Sequence, residues 1–329
     1  MGDVEVVAEF GKGMLTSPWW NEFAASAGTV FHTSRFLLPW WEDRQAKSPD
    51  SRLVTIGVFD ADGVVGLCAF ELDAGVLSFA GGLDVVDYMG PIAAAGREKE
   101  VAAALGEWMF EGLPWDRAHL AGLAGDAAAA DSMVDEILRR APSAVAETYD
   151  QAPRIEKAPD GYLRSLNSKR RADVLRKRNR LIEAVGQLEL VVSTPETTLD
   201  LLERLLSWKA CASAATGEFV AAYGDFLRKM LSGLTAADAG HVVELRASGR
   251  PLASAIMLRH RDTAYIYNMS YDTSLTVESS LAPGVVLVSL LVERSLDSGL
   301  RFDFLKGAQD YKLRLGGVPV DLTAVTVER

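Results

Sequence analysis

Two rhythms of apolar and polar positions run through this chain, and each occurs twice. "RLVTIGVFDADGVVGLCAFEL" at 52–72 holds two apolar runs around Asp-Gly, and "HVVELRASGRPLASAIML" at 241–258 repeats the pattern around Gly249. Both predict a β-hairpin, because Gly63 and Gly249 take the positive φ that a tight turn needs. A third strand is predicted after each hairpin, "VLSFAG" at 76–81 and "TAYIYNMS" at 263–270. A helix follows each, "REKEVAAALGEWMFEG" from Arg97 and "PGVVLVSLLVERSLDSG" from Pro283, each ending near a Gly in the C-cap position. The short strands "RAHLAGL" at 117–123 and "FDFLKG" at 302–307 close the two modules.

The spacing from Gly63 to Arg97 equals that from Gly249 to Pro283, 34 residues in each case. Equal spacing of equal signals points to duplication of a mixed α/β module. Amphipathic helices precede each hairpin: "PWWNEFAAS" and "SRFLLPWWEDRQAK" in the first half, "LDLLERLLSWKACASA" and "FVAAYGDFLRKMLSGL" in the second. The fold class expected is therefore α/β (α+β), with two tandem domains at 1–152 and 153–329. Each would hold a mixed, mostly antiparallel sheet flanked by helices.

A basic helix is expected between the halves, over 168–186, with Ser168 as N-cap and Gly186 as its end. Before it, Pro159 would start a short helix carrying Tyr162 and Leu166. Seven Lys/Arg and one acid, Asp173, fall between Lys169 and Arg180, while Val174, Leu175, Leu181, Ile182 and Val185 supply an apolar stripe. One side would pack and the other would stay basic. A solvated face is the simplest use of such a side, and a phosphate contact the functional one.

Composition narrows the function classes. The 329 residues are 49% hydrophobic, enough for two buried cores, and the formal net charge is −11. An acidic chain repels polyanions, so a phosphate-bearing ligand needs a local basic patch. Cys68 and Cys211 fall in different halves, which fits neither a disulfide framework nor a metal site. The four histidines, His32, His119, His241 and His260, show no ligand spacing, so no metal is expected. The opening "MGDVEVVAEF" lacks a basic region followed by an apolar one, and no run approaches a membrane span. A soluble, cytoplasmic protein is the expectation.

Three stretches carry a family resemblance: "FHTSRFLLPWW" at 31–41, "GYLRSLNSKRRADVLRKRNRL" at 161–181, and "SSLAPGVVLVSLLVERSLDSGLRFDFLKGAQDYKLRLG" at 279–316. Together with the order of elements they resemble the GNAT acyltransferases, in the tandem form of the BioF2-like or CelD-type acetyltransferases, relatives of the FemAB peptidyltransferases. The chain departs from that family's pattern after Gly307, where Ala308 and Gln309 replace an acidic pair, and at Leu315, where an aromatic residue is usual. The resemblance implies an acyl-CoA cosubstrate and an amine acceptor of small-molecule or amino-sugar type. The alternatives it leaves open are an aminoacyl-tRNA-dependent, FemAB-like transferase and a non-catalytic scaffold of the same fold.

Site residues follow partly from the resemblance and partly from chemistry. A helix N-terminus presents unpaired N–H groups and partial positive charge, so it accepts anions. By resemblance Ala282, Gly284 and Val285 would meet the coenzyme pyrophosphate, and Tyr267, Met269 and Ser270 would lie along the pantetheine arm. Asp303 alternates with Phe302 and Phe304, and an acid on a buried strand needs a partner, with Lys306, Lys312 and Arg314 the nearby candidates. If catalytic, Asp303 would act as base, Tyr311 as acid for the thiolate, and Lys306 or Lys312 as anchors for a substrate anion. Arg176 on the basic helix, and Asp87 and Tyr88 in the first module, are expected on the acceptor side. The first module is expected to have lost coenzyme binding.

Overall fold

The structure, a computed structural model, describes residues 4–158, 160–274 and 281–329. Pro159, expected to start a helix, and Ser279–Ser280 of the C-terminal signature lie outside them. The first stretch contains β1 (Glu5–Phe10), α1 (Gly13–Thr16), α2 (Pro18–Ala27), α3 (Ser34–Lys47), β2 (Arg52–Asp60), β3 (Gly63–Asp73), β4 (Val76–Phe79) and β5 (Ile92–Ala93). It continues with α4 (Glu98–Glu107), β6 (Arg117–Ala124), α5 (Ala128–Arg140) and β7 (Val145–Ile155). Then come α6 (Tyr162–Ser165), α7 (Ser168–Val185), β8 (Leu188–Val192), α8 (Thr198–Ala212) and α9 (Ala214–Thr235). The last part holds β9 (Gly240–Ala247), β10 (Arg250–His260), β11 (Thr263–Tyr271), α10 (Pro283–Asp297), β12 (Arg301–Asp303), α11 (Asp310–Arg314) and β13 (Val318–Glu328).

These elements form two compact units: residues 1–151 with 320–329, and residues 152–319. In the first, the strands run β1-β2-β3-β4-β6-β13; in the second, β8-β9-β10-β11-β12 followed by the end of β7. Both sheets share one pattern of orientation. The first four strands of each pair antiparallel, the fourth and fifth pair parallel, and the sixth returns antiparallel. The repeat read from the two 34-residue spacings is thus matched strand for strand.

The sixth strand departs from sequence order. The chain's last strand, β13, pairs with β6 from Leu322↔Ala124 to Glu328↔Arg117, so residues 320–329 belong to the first unit rather than the second. The second unit is completed by the end of β7, where Ile155 and Arg154 face Phe302 and Asp303. Burial explains the placement: Leu322, Ala324, Val325 and Val327 are all buried in the first unit's core. The sequence reading did not include β1, β7, β8, β13 or α5. "EVVAEF" and "LELVV" are short, carry acids and are only half-buried, so their apolar rhythm is weak.

In the second unit, α10 fills the core against the sheet through Val286, Leu287, Val288, Leu291 and Val292. α7 packs on α10, with Val174 and Leu181 buried. Its N-cap is Asn167, whose side chain accepts from the Arg170 N–H, and Ser168 is the first helical residue instead. Asn is as good a cap as Ser, so composition alone does not choose between neighbours. Arg178 turns inward: its guanidinium donates to the Ser289 hydroxyl at 3.0 Å, the Ser289 carbonyl at 2.8 Å and the Glu293 carboxylate at 2.7 Å. The paired tryptophans pack inward, with Trp20, Trp40 and Trp41 buried. Among the described residues no helix is long and apolar enough to cross a membrane.

Truncating the exchanged strand tests its assignment. Leu322→Ala and Val325→Ala should each lower stability by about 2–4 kcal/mol. In hydrogen exchange the lost protection should fall on β6 and not on β12; protection lost at β12 alone would contradict the pairing.

Candidate acyl-donor site

The second unit's site begins where two strands part. β11 and β12 pair in parallel at Thr263↔Arg301, Ala264↔Phe302 and Tyr265↔Asp303, and no further. β11 continues for six residues, to Tyr271, held through its other edge by β10. The register with β10 slips between Ile256 and Met257, so that Ile256 faces Asn268 and Met257 faces Ile266. Tyr267 is therefore the extra residue of a β-bulge, a device that twists a strand away from its neighbour. Backbone N–H and C=O groups on the parted edge have no β12 rung to meet.

Beyond that edge lies the start of α10. Ala282 precedes the helix in the left-handed region at φ 44°, Pro283 takes the first turn, and no side chain among the described residues caps the end. Gly284 is buried, and a Cβ there would stand 2.5 Å from the Met269 methyl carbon and 3.1 Å from the Tyr271 ring. The glycine is thus needed by the chain's own strand, whose Met269 and Tyr271 point at the helix, and this accounts for it without a ligand. Ser270 points to the opposite face, across from Ser254. A pocket of about 190 Å³ opens beside the first turn of α10, lined among others by Val285, Asp173, Lys177, Ser289, Tyr311 and Arg314. It brings the helix start, the basic helix and the Tyr-Lys segment together. Lys177 and Asp173, which form an ion pair at its rim, were not singled out by sequence. Arg176 pairs with the same Asp173 and is exposed.

The polar cluster after β12 serves the chain first. Asp303 is 2% exposed, and its carboxylate meets the Arg154 guanidinium at 2.9 Å. Arg154, which was not among the expected partners, is supplied by β7, which places it directly opposite on the ladder. The second carboxylate oxygen accepts from the Leu305 N–H at 2.7 Å. Leu305 sits at φ 58°, a conformation that branched side chains resist, and this bond holds it there. Lys312 is buried and donates to the carbonyls of Leu305 at 3.1 Å and Lys306 at 2.8 Å. Asp303 and Lys312 together shape the 304–309 turn. Arg314 pairs with Asp310 on α11. Tyr311 lines the pocket, and burial pushes its phenol up to about 12, so it stays protonated at neutral pH.

The first unit closes the matching position. β4 ends at Phe79, and the chain from Ala80 to Pro91 folds back over its own sheet. The Met89 N–H donates to the Gly122 carbonyl of β6 at 2.9 Å. Gly122, at φ 86°, has no room for a Cβ, which would touch the Met89 backbone at 3.0 Å. Val85, Val86, Tyr88 and Met89 are buried. Tyr88, expected to face a groove, packs instead against the Phe31 ring, 6.0 Å between centroids. Asp87 is half-buried and helps hold the Tyr149 phenol up at about 12, after the larger effect of burial.

Residues 168–313 match the family described as acetyltransferase (GNAT) domain. No curated protein matches the chain. Among solved structures, FemX is similar over 96% of both chains, at 11% identity and a TM-score of 0.61. A Bacteroides thetaiotaomicron protein of unknown function is similar over 98% of this chain and all of that one, at 11% identity and a TM-score of 0.57. The C-terminal domain assigned to a lysylphosphatidylglycerol synthetase from Agrobacterium fabrum is similar over 79% of this chain and 81% of that one, at 11% identity and a TM-score of 0.54. At such identities the likeness speaks for the fold. The parted β11 and the start of α10 lie within residues 168–313, the part of the second unit that matches an acetyltransferase (GNAT) domain.

Proposed function

We propose that the protein transfers an acyl group from acyl-coenzyme A to the amine of a small molecule or amino sugar. The observation that carries this reading is the end of β11–β12 pairing at Tyr265↔Asp303. An extended pantetheine arm can run along residues 266–271, beyond the last β12 rung, as a strand would. The first-turn N–H groups of Gly284 and Val285 suit its pyrophosphate. Lys177 and Arg314 line the neighbouring pocket, each paired with an acid of the same lining, Asp173 and Asp310.

In the reaction, the amine nitrogen attacks the thioester carbonyl carbon. The N–C bond forms, the C–S bond breaks, the amine gives up one proton and the leaving thiolate takes one. The N–H groups near Met269 and Ser270 would steady the developing oxyanion. Tyr311, protonated at neutral pH, suits the acid that meets the thiolate. Asp303 is better read as a positioning residue. With Arg154 on one oxygen and the Leu305 N–H on the other, it keeps the turn beside the site in shape.

Aminoacyl-tRNA as donor is the second reading. It is favoured by the exposed cations Lys169, Arg170, Arg171, Arg176 and Arg180 on α7, and by the resemblance to FemAB-type transferases. The likeness to FemX is one of fold. An inactive scaffold is the third reading, motivated by the altered residues after Gly307.

Acetyl-CoA or longer acyl-CoAs should raise the melting temperature in a concentration-dependent way; a flat response to all of them would sink the coenzyme reading. Charge reversal at Arg170 and Arg180 should leave transfer unaffected, whereas a steep, salt-dependent loss would favour tRNA. Tyr311→Phe should reduce turnover about 100-fold while the acyl-CoA melting shift persists; unchanged turnover removes the acid role. Asp303→Asn should cost about 3–5 kcal/mol of stability, because Arg154 loses its buried carboxylate partner. A variant that keeps wild-type stability but loses turnover would restore Asp303 as a base.

A further inference from the structure

The first unit carries a groove that the donor site does not use. It opens between β1 and α4, holds about 910 Å³, and has Val4, Val6, Ala103, Ala104 and Trp108 as its apolar lining. α4 ends at Glu107, and a wider π-helical turn, Trp108–Gly112, follows. The Trp108 ring stacks on Phe70, 6.5 Å between centroids, which fixes it beside the groove. The charged lining is one-sided: Glu100, Glu107 and Glu111 against Lys99. Glu100 is met by Arg97 at 2.5 Å. Glu107 and Glu111 are not held so closely. They lie 3.7 and 3.5 Å from Arg140, whose Nε is taken by Glu136 at 2.5 Å, and their side chains are 66% and 69% exposed.

The strand beside this groove has an open edge. β1 ends the first unit's strand order and pairs, among the described strands, with β2. The Gly11 N–H donates to the Leu53 carbonyl at 2.8 Å, which continues the β1–β2 register by one residue. Inward and outward residues alternate along an antiparallel strand, so Glu5, Val7 and Glu9 turn their backbone groups in to β2. Val6, Ala8 and Phe10 turn theirs out, where no described strand meets them. Folded proteins blunt such an edge with proline, lysine or a bulge. β1, "EVVAEF", has none of these, and its register with β2 is regular throughout. Val7 is 39% and Phe10 57% exposed.

We propose that β1 and the groove along α4 receive an extended segment of a partner protein, added as a further strand, with Lys or Arg at alternate positions. The added backbone pairs with Val6, Ala8 and Phe10. Side chains of a strand alternate between faces, so every second one enters the groove on the side of Val4 and Val6. A Lys or Arg there lays its methylene stem over Val6 and Trp108 and brings its charge to Glu107 and Glu111. The residues between lie on the Val7 face, where apolar side chains fit. A second copy of this chain is the poorer occupant. Pairing about Val7 would set Glu5 against Glu9 twice, and like charges directly opposite repel. The inference concerns the first unit alone and does not depend on acyl transfer.

The test uses the full chain, with a blocked hexapeptide of alternating Lys and Val as the probe. Adding it should slow hydrogen exchange several-fold in fragments covering residues 4–10 and 98–112. The same peptide with every amide N-methylated, and one of alternating Glu and Val, should protect neither. No protection by the Lys-Val peptide, or equal protection by either control, would overturn the proposal. Glu107→Gln combined with Glu111→Gln should raise the dissociation constant about tenfold, an effect that shrinks as salt rises. An unchanged constant would overturn the proposal as well. Ala8→Pro takes no bond from β2, because the Ala8 N–H points outward, so it should keep the melting temperature and lose the peptide. The N-methylated peptide asks the same question of an unaltered chain. In sedimentation the chain alone should form no dimer that Ala8→Pro abolishes; such a dimer would hand the edge to a second copy and overturn the choice of partner.

Discussion

The Arg154–Asp303 pair decides the shape of the second unit's site. A carboxylate on a buried strand is tolerated only with a partner, and β7 supplies one from the opposite rung. The same carboxylate then takes the Leu305 N–H and commits the chain to a left-handed residue two positions on. β12 therefore stops after three residues. From Ile266 onward β11 pairs, among the described strands, with β10, and the bulge at Tyr267 bends it away from β12. The opening is a consequence of where one acid is satisfied. It needs no special sequence on β11 itself.

The two units show what such an opening requires by showing its opposite. Both have the same strand order and the same parallel fourth and fifth pair. In the first, the chain after β4 returns over the sheet, bonds to Gly122 and buries Val85, Val86, Tyr88 and Met89. In the second, α10 starts at Pro283 after Ala282 in the left-handed region. One copy spends its edge on its own loop; in the other, pairing with β12 ends at Tyr265↔Asp303.

Charge follows the same division of labour. Several cations of α7 and the C-terminal segment are engaged: Arg178 with Ser289 and Glu293, Lys177 and Arg176 with Asp173, Lys312 with two carbonyls, Arg314 with Asp310. These contacts tie α7, α10 and α11 around a pocket and set its electrostatics more than they bind anything themselves.

Much of this was legible along the chain. The hairpins around Gly63 and Gly249, the helices from residue 97 and from Pro283, and the duplication itself follow from period and turn chemistry, which act over a few residues. So does the need for Asp303 to be paired. The partner was not legible, because Arg154 lies far away in sequence and reaches Asp303 only through the antiparallel register of β7 on β12. Nor was the exchange of sixth strands, since "LTAVTVE" reads equally well as the end of either module. Tyr88 looked like a groove residue and became core because the loop around it has enough apolar surface to fold inward. Local patterns specify elements; which edges they meet, and which polar groups are left without a partner, depends on packing between residues the chain brings together only on folding.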